Sequence, residues 1–406
     1  MFLVTNMENQ VLFITSFFPE VLEDEFLKHS KTPSLDYAAH NLQRAIIHGF
    51  EENGADYFVV NVPHLGSFPP YYKTPFVHGY KSDDNRIESI SYLNITWLKR
   101  ANTKYIIRKK IKKWLKERSA VNKTILFYSY DYLSLCQNIK QWDAKVQIVL
   151  LAADLPEFMS TDNSLITKAN KIISKLLKRK PFAPYIDGYV LLAPAMKERL
   201  PVGNKPWIQI EGIYNPEHDT ITPEKAKHKV VLYTGHLARR YGIEDLLKSF
   251  HLIDNADYRL WICGMGDGIE SIKEYEKIDK RIHYLGTFKR DKIISLQKQS
   301  TLLINPRHSK DEYTMYSFPS KTMEYMASGT PTLMSHLRSI PKEYDKHLYY
   351  FEDESIIGMS SKIMSICETD KEQLKQFGTA ARKFILMEKT PKPQVRKLLQ
   401  FIYSLN

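Results

Sequence analysis

The chain has 406 residues, 43% of them hydrophobic and 12% aromatic, and a formal net charge of +12. That composition suits a globular protein of two or three domains with sizeable cores, and the positive excess points to an anionic partner. No apolar run approaches the ~20 residues of a membrane span, no Cys/His cluster has zinc spacing, and Cys136, Cys263 and Cys367 lie too far apart to read as a disulfide framework.

The first ten residues carry neither the basic start nor the apolar core of a signal peptide. With Cys136 and Cys263 reading as reduced packing residues in apolar surroundings, this predicts a cytosolic protein. Val11-Leu-Phe-Ile-Thr15 reads as a short buried strand, and Leu35 to Glu52 as a helix ended by Asn53-Gly54. Tyr57 to Asn61 is the next strand, and Leu65 to Tyr72, rich in Gly, Pro and Tyr, is expected to be a loop. From Lys99 to Arg118 basic residues surround Ile107, Ile111, Trp114 and Leu115, which share one helical face. Lys168 to Lys180 repeats the theme around Ile172, Ile173, Leu176 and Leu177. Two readings stay open: the stripes pack on the core beneath solvated charges, or basic amphipathic helices lie on an anionic membrane surface. Nucleic acid is set aside, because no binding motif accompanies the charge. Thr124 to Tyr128 and Val146 to Leu151 are further strands, the second running into Asp154-Leu-Pro-Glu157. At a strand end, Asp154 either caps the next helix or positions a hydroxyl; His40 reads as packed within its helix or lining the same region. Gly188 to Leu192 and Trp207 to Ile210 complete this half.

Lys229 to Tyr233 opens a second series. Gly235 and Gly242 bracket a strand-to-helix loop carrying Arg239 and Arg240. Glycine lets backbone approach a phosphate and arginine can grip one bidentately; the competing reading is a surface Arg pair beside a turn. After the helix Ile243 to Leu252, the strand Tyr258 to Cys263 leads into Gly264-Met-Gly266-Asp-Gly268, by itself a weak signal that also fits a tight turn. His283 to Gly286 and Thr301 to Asn305 follow. Then comes Tyr316-Ser-Phe-Pro-Ser-Lys-Thr-Met-Glu324, with Gly329-Thr-Pro331 after it. Pro319 starts a short helix, the first-turn amides near Ser320 offer an anion site, and Glu324 lies one turn on, placed to reach a neutral polyol. Ordinary capping is the plainer reading of the same residues. Gly329 ends the helix before the strand Thr332 to Met334. Alternating strands and helices predict an α/β protein of two Rossmann-like domains facing across a cleft, residues 1–217 and 218–390, followed by a helix over 391–406.

The stretch from Tyr316 to Pro331 resembles the donor-binding motif of retaining family-four glycosyltransferases, which have the GT-B fold. In that family a Glu stands on each side of the Phe-Pro-Ser turn. The second matches Glu324, implied to hold ribose; the first falls on Tyr316, which would then lie against the donor sugar. The resemblance implies a donor site of Gly235, Arg239, Arg240, Gly264, Gly266, Phe288, Ser317, Phe318, Pro319, Ser320, Lys321 and Glu324, with Phe288 in the segment that presents backbone to the base. His236 and Tyr241 replace the family's diphosphate-clamping Arg and Lys, leaving Arg240 and Lys321 as substitute cations. Ala153 replaces the family's frequent His, so Asp154 is the remaining acceptor-side candidate. Tyr316, Asp154, Arg240 and Lys321 are thus the candidate catalytic residues. The resemblance further implies retention of configuration, no cofactor or essential metal, a nucleotide-sugar donor, a last helix returning to the N-terminal domain, and a glycan or lipid-linked acceptor in bacterial capsule or exopolysaccharide synthesis. An enzyme peripheral to the inner face of the plasma membrane is expected. A non-catalytic GT-B subunit and a sugar-nucleotide epimerase remain the alternatives.

Overall fold

The computed structural model describes residues 9–31, 37–117, 122–128, 130–155, 181–216 and 223–405. The second basic segment, Lys168 to Lys180, lies outside the described residues, as do Glu157, Arg118 and the start of the helix expected from Leu35. The chain forms two compact units, Met1–Ile210 with Pro391–Asn406, and Glu211–Thr390.

In the first unit an eight-stranded sheet runs in the order Trp207–Gln209, Gly188–Leu191, Gln147–Ala152, Asn122–Phe127, Asn9–Thr15, Asp56–Asn61, Ile87–Ser89, Tyr80–Lys81. Neighbours are parallel throughout except for the last pair. Strands covered on both faces read as apolar runs rather than alternations, and every residue of Asn9–Thr15 is buried. At the carboxyl ends the Thr15 hydroxyl donates to Asn61 Oδ1 at 3.0 Å, and Asn61 Nδ2 donates to the Phe17 carbonyl at 2.9 Å. These bonds fix the loops that leave the sheet on this side. Pro391–Tyr403 packs on Tyr37–Glu52, where a Cβ on Gly49 would meet Val395 at 2.3 Å.

The helix Lys99–Glu117 turns Ile107, Ile111, Trp114 and Leu115 into the core. Its stripe is therefore a packing face, and the exposed side carries Arg108, Lys109, Lys112 and Lys116. Arg108 and Lys112 lie 5.5 and 5.7 Å from the Trp142 ring centroid.

In the second unit six parallel strands run Ile282–Gly286, Tyr258–Met265, Lys229–His236, Leu302–Asn305, Thr332–Met334, Tyr349–Tyr350. The unit begins at Glu211, ahead of the boundary expected at 217/218. The physical reason is a buried ion pair: Lys389 Nζ lies 2.6 Å from Glu211 Oε1, and the two side chains are 3% and 1% exposed. The Tyr344 hydroxyl donates to the same Glu211 oxygen at 2.8 Å. The chain thus enters and leaves this unit at one buried charge pair, which polar linker composition does not reveal.

Candidate functional site

The helix Lys321–Ala327 carries Glu324 and is tied to the sheet by Tyr325. Tyr325 is 1% exposed; its hydroxyl donates to the Thr234 carbonyl at 2.8 Å and accepts from the Thr234 amide at 2.7 Å. This fastens the helix beside the carboxyl end of Lys229–His236. Glu324, 17% exposed, accepts from Gln297 Nε2 at 2.6 Å and from Lys321 Nζ at 2.8 and 3.0 Å. Burial pushes its pKa up, but the Lys321 charge, the bonds from Lys321 and Gln297, and the more distant Arg290 outweigh it and hold the carboxyl below its ordinary value. Arg290 donates from NH2 to the Asn215 carbonyl at 3.0 Å, while its buried Nε and the buried Gln297 Oε1 have no hydrogen-bond partner. Buried polar atoms of this kind need a partner, so this corner has unmet donor and acceptor capacity.

Lys321 is thereby engaged by Glu324 within its own helix. The Thr322 amide donates to the Pro319 carbonyl at 2.8 Å, and Ser320 makes no side-chain cap. Ser317 is half-buried, Phe318 and Pro319 are buried, and Ser320 is exposed. Phe318 packs on Tyr344 with ring centroids 5.7 Å apart. Tyr316 closes the short helix Glu312–Tyr316 and is 3% exposed, whereas Glu312 is exposed. Phe288 is 43% exposed and presents an open aromatic face.

The arginine loop divides its two candidates. Arg239 is turned toward acids: Nε lies 3.5 Å from Glu244, NH2 4.0 Å from Glu270, and its amide donates to Asp267 at 3.0 Å. Arg240 has no carboxylate within 4 Å among the described residues, and its guanidinium lies 5.1 and 5.6 Å from the Tyr241 and Tyr313 ring centroids. Arg307, just beyond the strand Leu302–Asn305, lies 4.2 Å from the Tyr241 ring centroid. His236 Nδ1 is 2.8 Å from the Met265 carbonyl and its ring meets Tyr241 edge-on. The two aromatic rings hold two guanidiniums at the loop without neutralising either. Arg307 was not singled out by sequence; its place at a strand end was the available signal. Gly235 and Gly264 are register partners. Gly264 has φ 142°, and a Cβ there would lie 1.8 Å from the Gly235 carbonyl oxygen. Close approach of two strand ends accounts for glycine at this position, and Gly266 likewise abuts Leu237.

In the first unit, exposed Asp154 lines a cavity of about 80 Å³ together with His40, His64 and Asp131. His40 is 3% exposed, and its Nδ1 accepts from the Phe18 amide at 3.1 Å. A neighbouring cavity of about 250 Å³ shares His64 and Asp131 and adds Lys99 and Arg100. Both lie at the carboxyl ends of Asn9–Thr15 and Asn122–Phe127. Sequence reasoning placed Lys99 and Arg100 only within a basic run, and passed over His64 and Asp131, because nothing local brings four separated segments together. Among the described residues, no group of three or more His, Cys, Asp or Glu is placed to hold a metal ion, and no helix is long and apolar enough to cross a membrane.

Residues 215–384 match the family model for glycosyl transferases group 1. That span lies within the second unit and carries Glu324, Arg240 and Arg307. No curated protein matches the chain. Among solved structures it resembles sucrose-phosphate synthase from Thermosynechococcus elongatus (TM-score 0.64, 13% identity, covering 98% of this chain and 99% of that one). It also resembles the lipopolysaccharide outer core galactosyltransferase WaaB in its apo form (TM-score 0.62, 15% identity, 97% and 99%). A third is HepE of Anabaena in complex with UDP (TM-score 0.60, 10% identity, 97% and 100%). The fold is that of GT-B glycosyltransferases over nearly the whole chain.

Proposed function

We propose that this protein transfers a sugar, with retention of configuration, from a nucleotide diphosphate donor to a lipid-linked glycan in surface polysaccharide synthesis. The observation that carries the reading is Glu324, held ionised by Lys321 and Gln297 in the unit that matches the group 1 family and that also carries two arginines without a carboxylate partner among the described residues. Glu324 would accept hydrogen bonds from the ribose hydroxyls. Arg240 and Arg307 would meet the charge that grows on the leaving diphosphate, which supplies the stabilisation an ion would otherwise give. That phosphate would then take the acceptor's proton. A UDP complex of HepE, and a relative from E. coli bound with UDP-2-fluoro glucose, support a nucleotide-sugar donor.

Turnover against a panel of nucleotide sugars, with and without chelator, tests the reaction; activity unaffected by chelator is expected. Glu324→Gln keeps the size but removes the charge. Hydrogen bonds to a charged group contribute about 1.5–3 kcal/mol, so nucleotide affinity by calorimetry should fall at least tenfold. Unchanged affinity would remove Glu324 from the site. One observation favours a second reading, a non-catalytic GT-B subunit: Tyr316 is buried where the resembled family has a carboxylate. Nucleotide binding without turnover of any donor would decide for it.

The acceptor assignment also predicts a membrane surface as partner. Arg108, Lys109, Lys112 and Lys116 face solvent, and Trp97 and Leu98, just before the helix, are 78% and 42% exposed. Each basic residue near an anionic surface contributes about 1 kcal/mol. Sedimentation with phosphatidylserine vesicles is expected at low salt and should be lost at molar salt, where screening shortens to about 3 Å. Equal binding to phosphatidylcholine vesicles would count against this surface.

A further inference from the structure

The cavity of about 250 Å³ in the first unit is unusual for where it places positive charge. Lys99 is drawn into its wall, and the ammonium donates to the Leu65 carbonyl. An ammonium has three donors, so that bond leaves others for the cavity. No carboxylate lies within 4 Å of Lys99 among the described residues, and the next residue, Arg100, exposes a guanidinium that forms no ion pair there. Taking a cation out of water without a counter-ion is unfavourable, and burial pushes the Lys99 ammonium down to about 8, with the Asp131 carboxylate opposing that shift. Asp131 is the acid of the lining, so two cations face one carboxylate. Ser67 adds a hydroxyl to the same wall.

We propose that this cavity seats a phosphate group of the acceptor on Lys99 and Arg100. Phosphate fits the pair better than a neutral sugar does: lysine meets it as a point charge, arginine as a two-toothed fork, and a hydroxyl supplies a further donor. The cavity has room for a phosphate and part of a sugar ring, and exposed Trp97 and Leu98 lie directly before the two basic residues in the chain. The phosphate would come either from a phosphorylated sugar or from the head of a lipid carrier. The inference takes its meaning from the glycosyltransferase reading above, but its binding test stands apart from it.

The test uses the full chain without donor. Calorimetric titration with a hexose 6-phosphate should show binding that the unphosphorylated hexose lacks, or else sedimentation should show tighter binding to phosphatidylcholine vesicles that contain phosphatidic acid than to vesicles of equal charge that contain phosphatidylserine. The first result assigns the phosphate to a soluble sugar, the second to a lipid head. In either arm Lys99→Met and Arg100→Ala should each weaken binding by at least about tenfold, Lys99→Arg should restore most of it, and UDP affinity should stay as in the unaltered protein. An unchanged thermal midpoint in Arg100→Ala, an exposed position, guards against misfolding. Binding in neither arm overturns the proposal, as does equal binding of hexose and hexose phosphate, or phosphate binding that survives the double substitution. If phosphate binds here but no nucleotide binds anywhere, the transferase reading fails and the anion site stands.

Discussion

Lys389→Met is expected to destabilise the second unit by about 3–5 kcal/mol, the range for breaking a buried pair from one side. Lys389 and Glu211 are 3% and 1% exposed, and their charged atoms lie 2.6 Å apart. Lys389 also reaches Glu343 and lies 5.0 Å from the Tyr344 ring centroid and 5.3 Å from that of Phe384. Without it, Glu211 keeps a hydrogen bond from Tyr344 but no positive charge. That carboxylate also pushes the Tyr344 phenol well above its ordinary pKa, after burial itself. Urea unfolding, followed separately for the two units, measures the loss. Because the penalty comes from the stranded charge, adding Glu211→Gln should recover part of it. A loss below about 1 kcal/mol, the size typical of an exposed pair, would show that Glu211 finds water in solution.

The second large effect concerns turnover. Removing one preorganised donor from a developing oxyanion lowers kcat by about 10²–10³-fold in an enclosed site. Arg240 is exposed to solvent, so roughly 10–100-fold is expected for Arg240→Ala once that range is discounted for screening. Arg307 is half-buried and packs on the same Tyr241 ring, so Arg307→Ala should act in the same direction and the pair should be non-additive. Arg240→Lys should recover only part of the activity, since lysine lacks the planar fork. The thermal midpoint should move little, because Arg240 makes no ion pair among the described residues and its exposed contacts with the Tyr241 and Tyr313 rings contribute only about 0.5–1 kcal/mol. Full turnover in both alanine variants would place the diphosphate elsewhere.

How much of this was legible beforehand follows from the range of each interaction. Apolar runs and turn residues act within a few positions, so both parallel α/β halves, the helix begun at Pro319 and ended at Gly329, and the glycine-rich strand ends were readable from the chain. So was the place of Glu324 one turn into that helix, because the spacing from Phe318-Pro319 to the following helical turn is local. The apolar stripe of Lys99–Glu117 was legible as one face of a helix, but its choice between the core and a membrane surface was not, since periodicity does not say what covers a face. The hydrogen bond that Glu324 accepts from Gln297 was not legible, because Gln297 comes from a different helix. Arg307 joined Arg240 only because parallel strands align their carboxyl ends. Glu211 met Lys389 across most of the unit, and Lys99, His64 and Asp131 met around one cavity. Those pairings depend on how the sheets order their strands, and strand order is a property of the folded tertiary structure with no local signature in the sequence.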